Sequence, residues 1–247
     1  MAGAISVKRL SEDMNIFFTD QVRGEVAALP ESEARHCIQV LRHKVGDRIR
    51  FIDGQGGLYE GEIAEAGKKT CLLKVISHKE NHGKRSYRVH LAVAPTKNIS
   101  RMEWLLEKAT EIGLDTFTPL LCSHSERRVL KMERLEKIVL SAAKQSVKAY
   151  LPQLNPLIGF DDFLAETDRE ADRFIAYLGK GVKGALKQNY KAGQDVCLLI
   201  GPEGGFSPQE AEAAAEAGFT PVTLGESRLR TETAALVACH TIHLLNA

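Results

Sequence analysis

The stretch VCLLIGPEGGFSPQE, residues 196–210, carries the chain from an apolar strand through a glycine loop into a helix. Its first five residues are typical of a strand that is buried on both faces of a parallel sheet. Ser207 and Glu210 predict a capping box, with Pro208 at the first helical position, where the missing N–H costs nothing. This pattern predicts an α/β domain in which the glycine loop follows the carboxyl end of a buried strand.

Strands and helices alternate on both sides of this stretch. Apolar runs predict further strands over residues 87–94, 114–121, 173–178 and 219–224. Helical spacing predicts helices over residues 103–112, 131–149 and 208–217, and an apolar last helix that begins near Thr233. Ser100 and Glu103 predict a second capping box, and Gly113 predicts a helix end. Such alternation is typical of a mostly parallel sheet with helices on both faces.

Residues 14–85 follow a different pattern, with short alternating strands at intervals of roughly 8–12 residues. Residues 31–44 predict one short helix among them, and the glycines of residues 54–57 predict a tight turn. This spacing favours a small antiparallel β-barrel. We therefore expect two domains, residues 14–85 and residues 86–247, after a polar leader at residues 1–13.

Composition restricts the class of protein. Of 247 residues, 44% are hydrophobic and 26% are charged, which argues against disorder, collagen and coiled coil. The apolar runs are shorter than the roughly 18 residues that cross a bilayer, and no signal-peptide core is present, so we expect a cytoplasmic protein with no membrane partner. The scattered cysteines form no C-x-x-C pair and the histidines form no H-E-x-x-H pair, so we expect no metal.

Two loops are candidate binding sites because ligands of open α/β sheets bind at the carboxyl ends of strands. The first is the glycine loop after Ile200, which lacks the lysine of a phosphate-binding P-loop; the alternative interpretation is a tight turn with no ligand. The second is LGESRLRTETA, residues 224–234, where Arg230 and Glu232 lie between a strand and a helix. Its alternative interpretation is that these two side chains merely pair with each other.

Basic residues cluster on one predicted helix and form a third candidate site. Arg134, Lys137, Lys144 and Lys148 fall within about 80° of one helix face. A stripe of this kind is either a solvated face or a set of phosphate contacts, supported by further basic residues upstream and in the barrel. These candidates are Arg35, Arg42, His43, Lys44, Arg127 and Arg128.

Several ordered motifs resemble those of the RsmE-type methyltransferases, a family of the SPOUT class. The motifs are LPESEARHCIQVLRHKVGDRIRFIDGQG (29–56), SRMEWLLEKATEIGLDTFTPLLCSHSERR (100–128), AAKQSVKAYLP (142–152) and the two C-terminal loops. The resemblance runs from about Met14 to the end of the chain. It implies a PUA-like β-barrel, a SPOUT α/β domain with a trefoil knot, and a homodimer in which each site lies near the partner chain.

The resemblance also implies an activity, which is methylation of N3 of a uridine in small-subunit (16S) ribosomal RNA, as naked RNA or as an assembled subunit, with S-adenosylmethionine as the donor. The matching cofactor residues are Leu178, Gly179, Ile200, Gly201, Pro202, Glu203, Gly204, Leu224, Gly225, Ser227 and Leu229. Arg230, Thr231 and Glu232 would border the uridine. Further motif positions near the cleft or the RNA are Lys97, Arg101, Glu111, Arg127, Gln145 and Ser146.

The chain departs from the family pattern at Glu226-Ser227-Arg228, where Pro-Arg-Ile is frequent, and at Lys148, where arginine is usual. Because uracil N3 carries a proton, Arg230 is expected to stabilise the negative charge on the base, and Glu232 to accept the proton or to position Arg230. Two other functions stay open at this point. They are a SPOUT enzyme that methylates another RNA target, such as a ribose 2′-hydroxyl, and a non-catalytic RNA-binding protein of ribosome assembly.

Overall fold

A computed structural model describes residues 15–167, 170–179 and 181–247. The described chain forms two compact units. The first unit comprises residues 15–84 together with Ala143–Leu151, and the second comprises Arg85–Ala142 and Pro152–Ala247. The predicted leader, residues 1–13, lies outside the described residues.

The first unit is a sheet that contains six strands in the described residues. Its strands are β1 (Ile16–Phe18), β2 (Val22–Arg23), β3 (Val26–Ala28), β4 (Arg48–Ile52), β5 (Leu58–Ala66) and β6 (Cys71–Lys79). They are ordered β1-β4-β5-β6-β3-β2, and every neighbouring pair is antiparallel except β1 with β4. Phe17, Phe51, Ile63 and Leu73 are fully buried and form the centre of its core. The expected antiparallel pattern is therefore present, with one parallel pair at its edge.

The predicted single helix over residues 31–44 is wrong in its extent. A short α-helix, α1 (Glu31–Arg35), continues as a π-helical turn at His36–Val40. The helix cannot continue further because Arg42 has a left-handed backbone, with φ of 62°.

The segment 143–151 is an addition to the first unit that sequence patterns do not reveal. Ala143 and Ala149 pack against Ile16 and Ile52 in a small apolar cluster. The side chain of Lys144 also donates to Glu33 Oε1 at 2.6 Å. The predicted domain of residues 86–247 contains residues 143–151, although in the structure these residues pack with the first unit.

The second unit is an α/β domain. Its elements are β7 (Val89–Val93), α2 (Ile99–Ile112), β8 (Thr116–Leu121), α3 (Met132–Gln145, ending in the first unit), β9 (Gln153–Leu154), β10 (Ile158–Gly159), α4 (Phe160–Glu166), β11 (Asp172–Ala176), α5 (Leu186–Asn189), β12 (Val196–Ile200), α6 (Pro208–Glu216), β13 (Thr220–Val222) and α7 (Thr231–Leu245). In the described residues the sheet order is β10-β8-β7-β12-β11-β13, with β9 also on β8, and every pair is parallel.

Helices cover both faces of this sheet, as the alternation of strands and helices predicts. One core contains α2 and α7, through residues such as Leu105 and Ala238, and the other contains α4 and α6, through residues such as Phe163 and Ala214. The predicted architecture, an α/β domain with a parallel sheet and a small β domain, is confirmed, while the trefoil knot stays a prediction. No described helix has the length and apolarity needed to cross a membrane.

The capping box of α6 is confirmed. Ser207 Oγ accepts from the N–H of Glu210 at 3.1 Å, and Glu210 Oε2 accepts from the N–H of Ser207 at 2.8 Å. The box predicted at Ser100 is wrong, because Asn98 caps α2 by accepting from the N–H of Ser100. The long helix over residues 131–149 is also too long as predicted. It ends at Gln145, two residues before the left-handed Val147.

Candidate functional site

A cavity of about 460 Å³ lies at the carboxyl ends of β11, β12 and β13. Three loops form most of it, and each follows one of these parallel strands. Its lining includes every cofactor residue predicted from the sequence, namely Leu178, Gly179, Ile200, Gly201, Pro202, Glu203, Gly204, Leu224, Gly225, Ser227 and Leu229. Sequence reasoning missed other lining residues, among them Ala176, Tyr177, Val222 and Thr223.

Two glycines explain the shape of the loop after β12. A Cβ on Gly201 would lie 3.1 Å from the backbone nitrogen of Phe206, so a larger residue would force the two ends of the loop apart. Gly205 has a φ of 74°, which side chains disfavour. The loop is therefore compact, and its backbone N–H and C=O groups can approach a ligand closely.

Neighbouring segments hold this loop in place. The carboxylate of Glu210, at the start of α6, accepts from the N–H of Ser123 at 2.7 Å as well as from Ser207. Nδ1 of His124 lies 3.0 Å from the carbonyl oxygen of Gly205. Oε1 of Glu203 accepts from the N–H of Lys97 at 3.0 Å. The loop is thus bonded to the segments that follow β7 and β8.

The second predicted site meets the first at the start of α7. The hydroxyl of Thr231 donates to the carbonyl oxygen of Gly201 at 3.0 Å. Gly225 also lines the cavity and has a φ of 130°. The structure therefore brings both glycine-bearing corners to one cavity, with the first turn of α7 beside them.

Glu232 is the buried acid of this region. Its carboxylate lies next to Arg101, with 3.7 Å between Oε1 and Nε, and its Oε2 is buried without a hydrogen-bond partner among the described residues. Arg230 is exposed at the N-cap of α7. The interpretation in which Arg230 and Glu232 merely pair is wrong, because the ion-pair partner of Glu232 in the described chain is Arg101.

Two further motif residues near the cavity, Arg127 and Lys97, are held by hydrogen bonds and an ion pair. Nε and Nη2 of Arg127 donate to the carbonyl oxygens of Thr96 and Lys97, at 3.1 and 2.7 Å. The ammonium of Lys97 pairs with Glu126 at 2.8 Å. Arg127 thus fixes the loop that leads into α2, and Arg101 in the first turn of that helix pairs with Glu232. Glu111 lies farther along α2 and pairs with Lys108.

The predicted basic stripe is only partly available to RNA. Arg134 is paired with Glu103, Lys144 is paired with Glu33, and Lys148 lies beyond the end of α3. Placing Lys148 on the helix was wrong because the helix ends at Gln145. Arg128 and Lys137 are exposed.

In the first unit, exposed basic residues lie on the loop that follows the π-helical turn. Arg42 and Lys44 are exposed there, while His43 lies 3.4 Å from Asp47 and Arg35 is paired with Glu31. The N–H of Lys44 donates to Asp47 Oδ2 at 2.7 Å, which orders the loop.

The cysteines of the described chain are poorly suited to thiol chemistry. All five cysteines are buried and unbridged, and burial raises the pKa of Cys122 and Cys239 to about 12, so these thiols stay protonated. No group of three or more His, Cys, Asp or Glu side chains in the described residues is placed to hold a metal ion.

Comparison with known proteins accounts for both units. Residues 83–243 match the model of an RNA methyltransferase domain, and residues 29–76 match that of an RNA methyltransferase PUA domain. A relative from Synechocystis, named ribosomal RNA small subunit methyltransferase E, is 31% identical over 235 residues, which cover 92% of this chain and 75% of the relative. The chain belongs to the ribosomal RNA small subunit methyltransferase E family.

Solved structures extend this family assignment to three dimensions. A probable rRNA-methyltransferase from Porphyromonas gingivalis is 46% identical, with a TM-score of 0.87, over 94% of this chain and 98% of that one. The ribosomal RNA small subunit methyltransferase E of Neisseria gonorrhoeae, solved bound to S-adenosyl methionine, is 27% identical, with a TM-score of 0.83 and coverage of 94% and 98%. In this methyltransferase E family member, the cavity after β11, β12 and β13 is the candidate place for such a donor.

Proposed function

We propose that this chain transfers the methyl group of S-adenosylmethionine to N3 of a uridine in small-subunit (16S) ribosomal RNA. One observation carries the proposal, which is that a cavity built from three glycine-bearing loops lies beside a helix start that holds a buried carboxylate. Membership of the methyltransferase E family supports the RNA class, and the donor bound in a relative supports the cofactor. The assembled subunit and naked RNA are both candidate substrates, and both place the reaction in the cytoplasm.

The cavity fits the donor by the chemistry of its lining. Leu178, Ile200 and Leu224 supply apolar wall, and the glycine loops offer backbone groups that suit an adenine ring. When bound there, S-adenosylmethionine supplies an electrophilic methyl group on a positively charged sulfur.

Glu232 and Arg101 are suited to the proton of uracil N3. This nitrogen becomes a good nucleophile when its proton leaves, so a base must lie beside it. The unpartnered Oε2 of Glu232 is a free acceptor in a buried place, and the guanidinium of Arg101, 3.7 Å from Oε1, positions the carboxylate. In the proposed reaction, Glu232 takes the N3 proton as N3 forms its bond to the methyl carbon; the bond from that carbon to sulfur breaks, and its electron pair stays on the sulfur, which leaves as a neutral thioether.

Arg230 and the start of α7 are suited to the charge that then develops on the base. Loss of the N3 proton spreads negative charge to O2 and O4 of uracil. Arg230 is exposed at the N-cap of a 15-residue helix, where the free backbone N–H groups also favour an anion. Preorganised positive groups of this kind lower the barrier most when they face the developing charge.

RNA is held, in this proposal, by exposed basic residues of both units. Arg42 and Lys44 present two cations on an ordered loop, and Arg128 and Lys137 present two more. Contacts of this type bind phosphates and position the strand without selecting its sequence. Because N3 takes part in base pairing, the target uridine must be unpaired or flipped out of its helix.

A homodimer is part of the proposal, since it would cover apolar residues of α7. That helix buries Ala238 and Ile242 in its own unit, which already accounts for part of its apolar character. Leu244 is nonetheless 65% exposed, and Trp104 of α2 is 42% exposed. We propose that both side chains belong to that interface, since contiguous exposed apolar patches mark sites of association.

Transfer of a labelled methyl group tests the proposal directly. Purified small subunits and naked ribosomal RNA are incubated with the enzyme and labelled S-adenosylmethionine, and mass spectrometry of the digested RNA locates the label. Label on N3 of a uridine is expected, and Arg230→Ala should slow transfer by about 10²-fold. Label on a ribose 2′-hydroxyl, no transfer to either RNA, or an Arg230→Ala rate within about threefold of the parent would contradict it.

A further inference from the structure

A second cavity, also of about 460 Å³, lies at the opposite edge of the same sheet. The amino-terminal parts of β7, β8 and β12 form its floor, whereas the donor cavity lies at carboxyl ends. On this face, polar residues replace the apolar ones found farther along the strands. His90 precedes Ala92 on β7, and Thr118 precedes Leu120 on β8. A buried face that turns polar beside an open cavity indicates a binding site rather than core packing.

The floor of the cavity is a hydrogen-bonded chain of neutral groups. Nε2 of His90 lies 2.8 Å from Oγ1 of Thr118, which also accepts from Nδ2 of Asn155 at 2.8 Å. Oδ1 of Asn155 accepts from Gln153 at 2.9 Å, which fixes the orientation of the amide. Burial lowers the pKa of His90 to about 4, so the imidazole is neutral at pH 7. The cavity therefore presents dipoles and no charge on its floor.

These bonds leave hydrogen-bonding capacity unused. The amide of Asn155 has a second N–H, and Oδ1 has a second lone pair. If Thr118 donates to Nε2 of His90, then Nδ1 of the imidazole carries a proton; if Nε2 donates, the hydroxyl hydrogen of Thr118 is left over. In both cases the His90–Thr118 pair keeps one donor beyond the bonds described above. The floor can thus offer two donors and an acceptor to a ligand.

The walls and the rim define what such a ligand is. Phe163 meets the His90 ring edge-on, with 5.6 Å between ring centres, and Ile158 adds apolar surface. At the rim, Arg88 is the cationic residue of the described lining, and Asp195 binds it at 2.9 Å from both Nε and Nη2. Because that cation is already paired and Glu166 adds a further carboxylate to the lining, the cavity disfavours a phosphate or carboxylate ligand.

We propose that this cavity is a binding site for an uncharged nucleobase. A flat ring with donors and acceptors on one edge matches the fixed amide and the imidazole, and its faces match the apolar walls. Asn side chains bind base edges through their amide, which here is already oriented. The base could belong to a free nucleoside or to bound RNA; only the second source depends on the proposed function.

Titration with uridine tests the site. The enzyme is first saturated with S-adenosylmethionine, and binding is followed by calorimetry. We expect saturable binding that Thr118→Val weakens about tenfold, because this change removes the hydroxyl and keeps the shape. Thr110→Val is the matched control, since Thr110 is a buried threonine of α2 whose hydroxyl has no partner among the described residues. Uridine monophosphate should bind less tightly than uridine, because the rim offers no free cation.

Further variants separate the possible outcomes. Arg230→Ala tests whether uridine sits at the proposed acceptor site instead; binding lost in that variant and kept in Thr118→Val overturns the inference, as does the absence of saturable binding. If Thr118→Val does not fold, Asn155→Leu takes its place, with the same expected loss.

Titration with a ribosomal RNA fragment distinguishes the two sources of the base. A tenfold loss of RNA affinity in Thr118→Val assigns the site to an RNA base, and unchanged RNA affinity with lost uridine binding assigns it to a free nucleoside. Failure of the proposed function would appear separately, as absent methyl transfer with Thr118-dependent uridine binding intact.

Discussion

Glu232 combines burial, an ion pair with Arg101 and an oxygen that no described group satisfies. A buried polar atom without a partner is costly, and in the proposed reaction the N3 proton of the substrate supplies that partner. We expect Glu232→Gln, which keeps the shape, to lower the single-turnover methyl-transfer rate by about 10²-fold because it removes the proton acceptor. Donor affinity, measured by calorimetry, should change less than about threefold, since Glu232 does not line the donor cavity.

Glu107→Gln provides the control for this change. Glu107 lies on α2 and pairs with the exposed end of Lys108, away from the described lining of the cavity. Its loss should leave the transfer rate within about twofold. A Glu232→Gln enzyme that transfers methyl as fast as this control would show that another group takes the N3 proton.

His90 predicts a dependence of stability on pH. Its pKa is lowered by burial to about 4, below the ordinary value of 6.5, so the unfolded chain binds more protons than the folded chain between these values. Stability should therefore be complete above pH 6.5 and fall as the pH drops toward 4. We expect His90→Asn to remove about 2 to 3 kcal/mol of the loss between pH 7 and pH 4.5, measured by urea unfolding at each pH. Equal losses for parent and variant would contradict this.

At the scale of elements, the carboxylate at the start of α6 both caps the helix and bonds a neighbouring loop. Glu210 accepts from Ser207 within its own capping box and from Ser123 in the loop after β8, so one carboxylate bonds the donor loop to a neighbouring segment. Glu210→Gln replaces one acceptor oxygen by a donor that faces an N–H group. We expect a loss of about 1 to 3 kcal/mol in the free energy of unfolding and weaker donor binding by calorimetry.

The matched control for Glu210→Gln is Glu212→Gln on the same helix. Glu212 is exposed, and its substitution should alter stability by less than about 0.5 kcal/mol. The interpretation of Glu210 fails if both variants unfold at the same urea concentration and bind the donor equally well.

Helices and strands that depend on adjacent residues were predicted well from the sequence, whereas contacts between distant residues were not. The strand Val196–Ile200 and the box at Ser207 were predictable because each depends on a few adjacent residues. Asn98 and Ser100 compete to cap the same helix, and sequence alone does not decide between them. The two-residue strands are too short to show a period.

The candidate site shows the same difference between local features, which the sequence predicts, and contacts between distant residues, which it does not. The two loops, with their strand–loop–helix context, predicted much of the lining of the cavity, whereas Leu178 and Gly179 came from the family resemblance alone. The partners of its charged groups were not predictable in this way. Arg101 with Glu232, and Glu33 with Lys144, lie far apart along the chain, and folding alone brings each pair together.

At the scale of the whole molecule, α7 links the site to assembly. It begins at Thr231, which bonds the donor loop, and it ends with Leu244 and Leu245 exposed. If two copies pair through this end, the proposed dimer would bury side chains of the helix whose first turn borders the cavity. Dimer formation through the last turn of α7 would then also stabilise its first turn, because both turns belong to the same rigid helix.

Leu244→Asp tests the proposed interface. An aspartate there would have to be buried without a partner in the dimer, which opposes association, while in the monomer it is exposed and harmless. Light scattering at micromolar concentration should show a dimer for the parent and a monomer for Leu244→Asp, with a dissociation constant raised by about 100-fold or more. Val129→Asp is the matched control, because Val129 is 74% exposed and lies in the loop between β8 and α3. A parent chain that scatters as a monomer, or a Val129→Asp variant that dissociates equally, would rule out pairing through the end of α7.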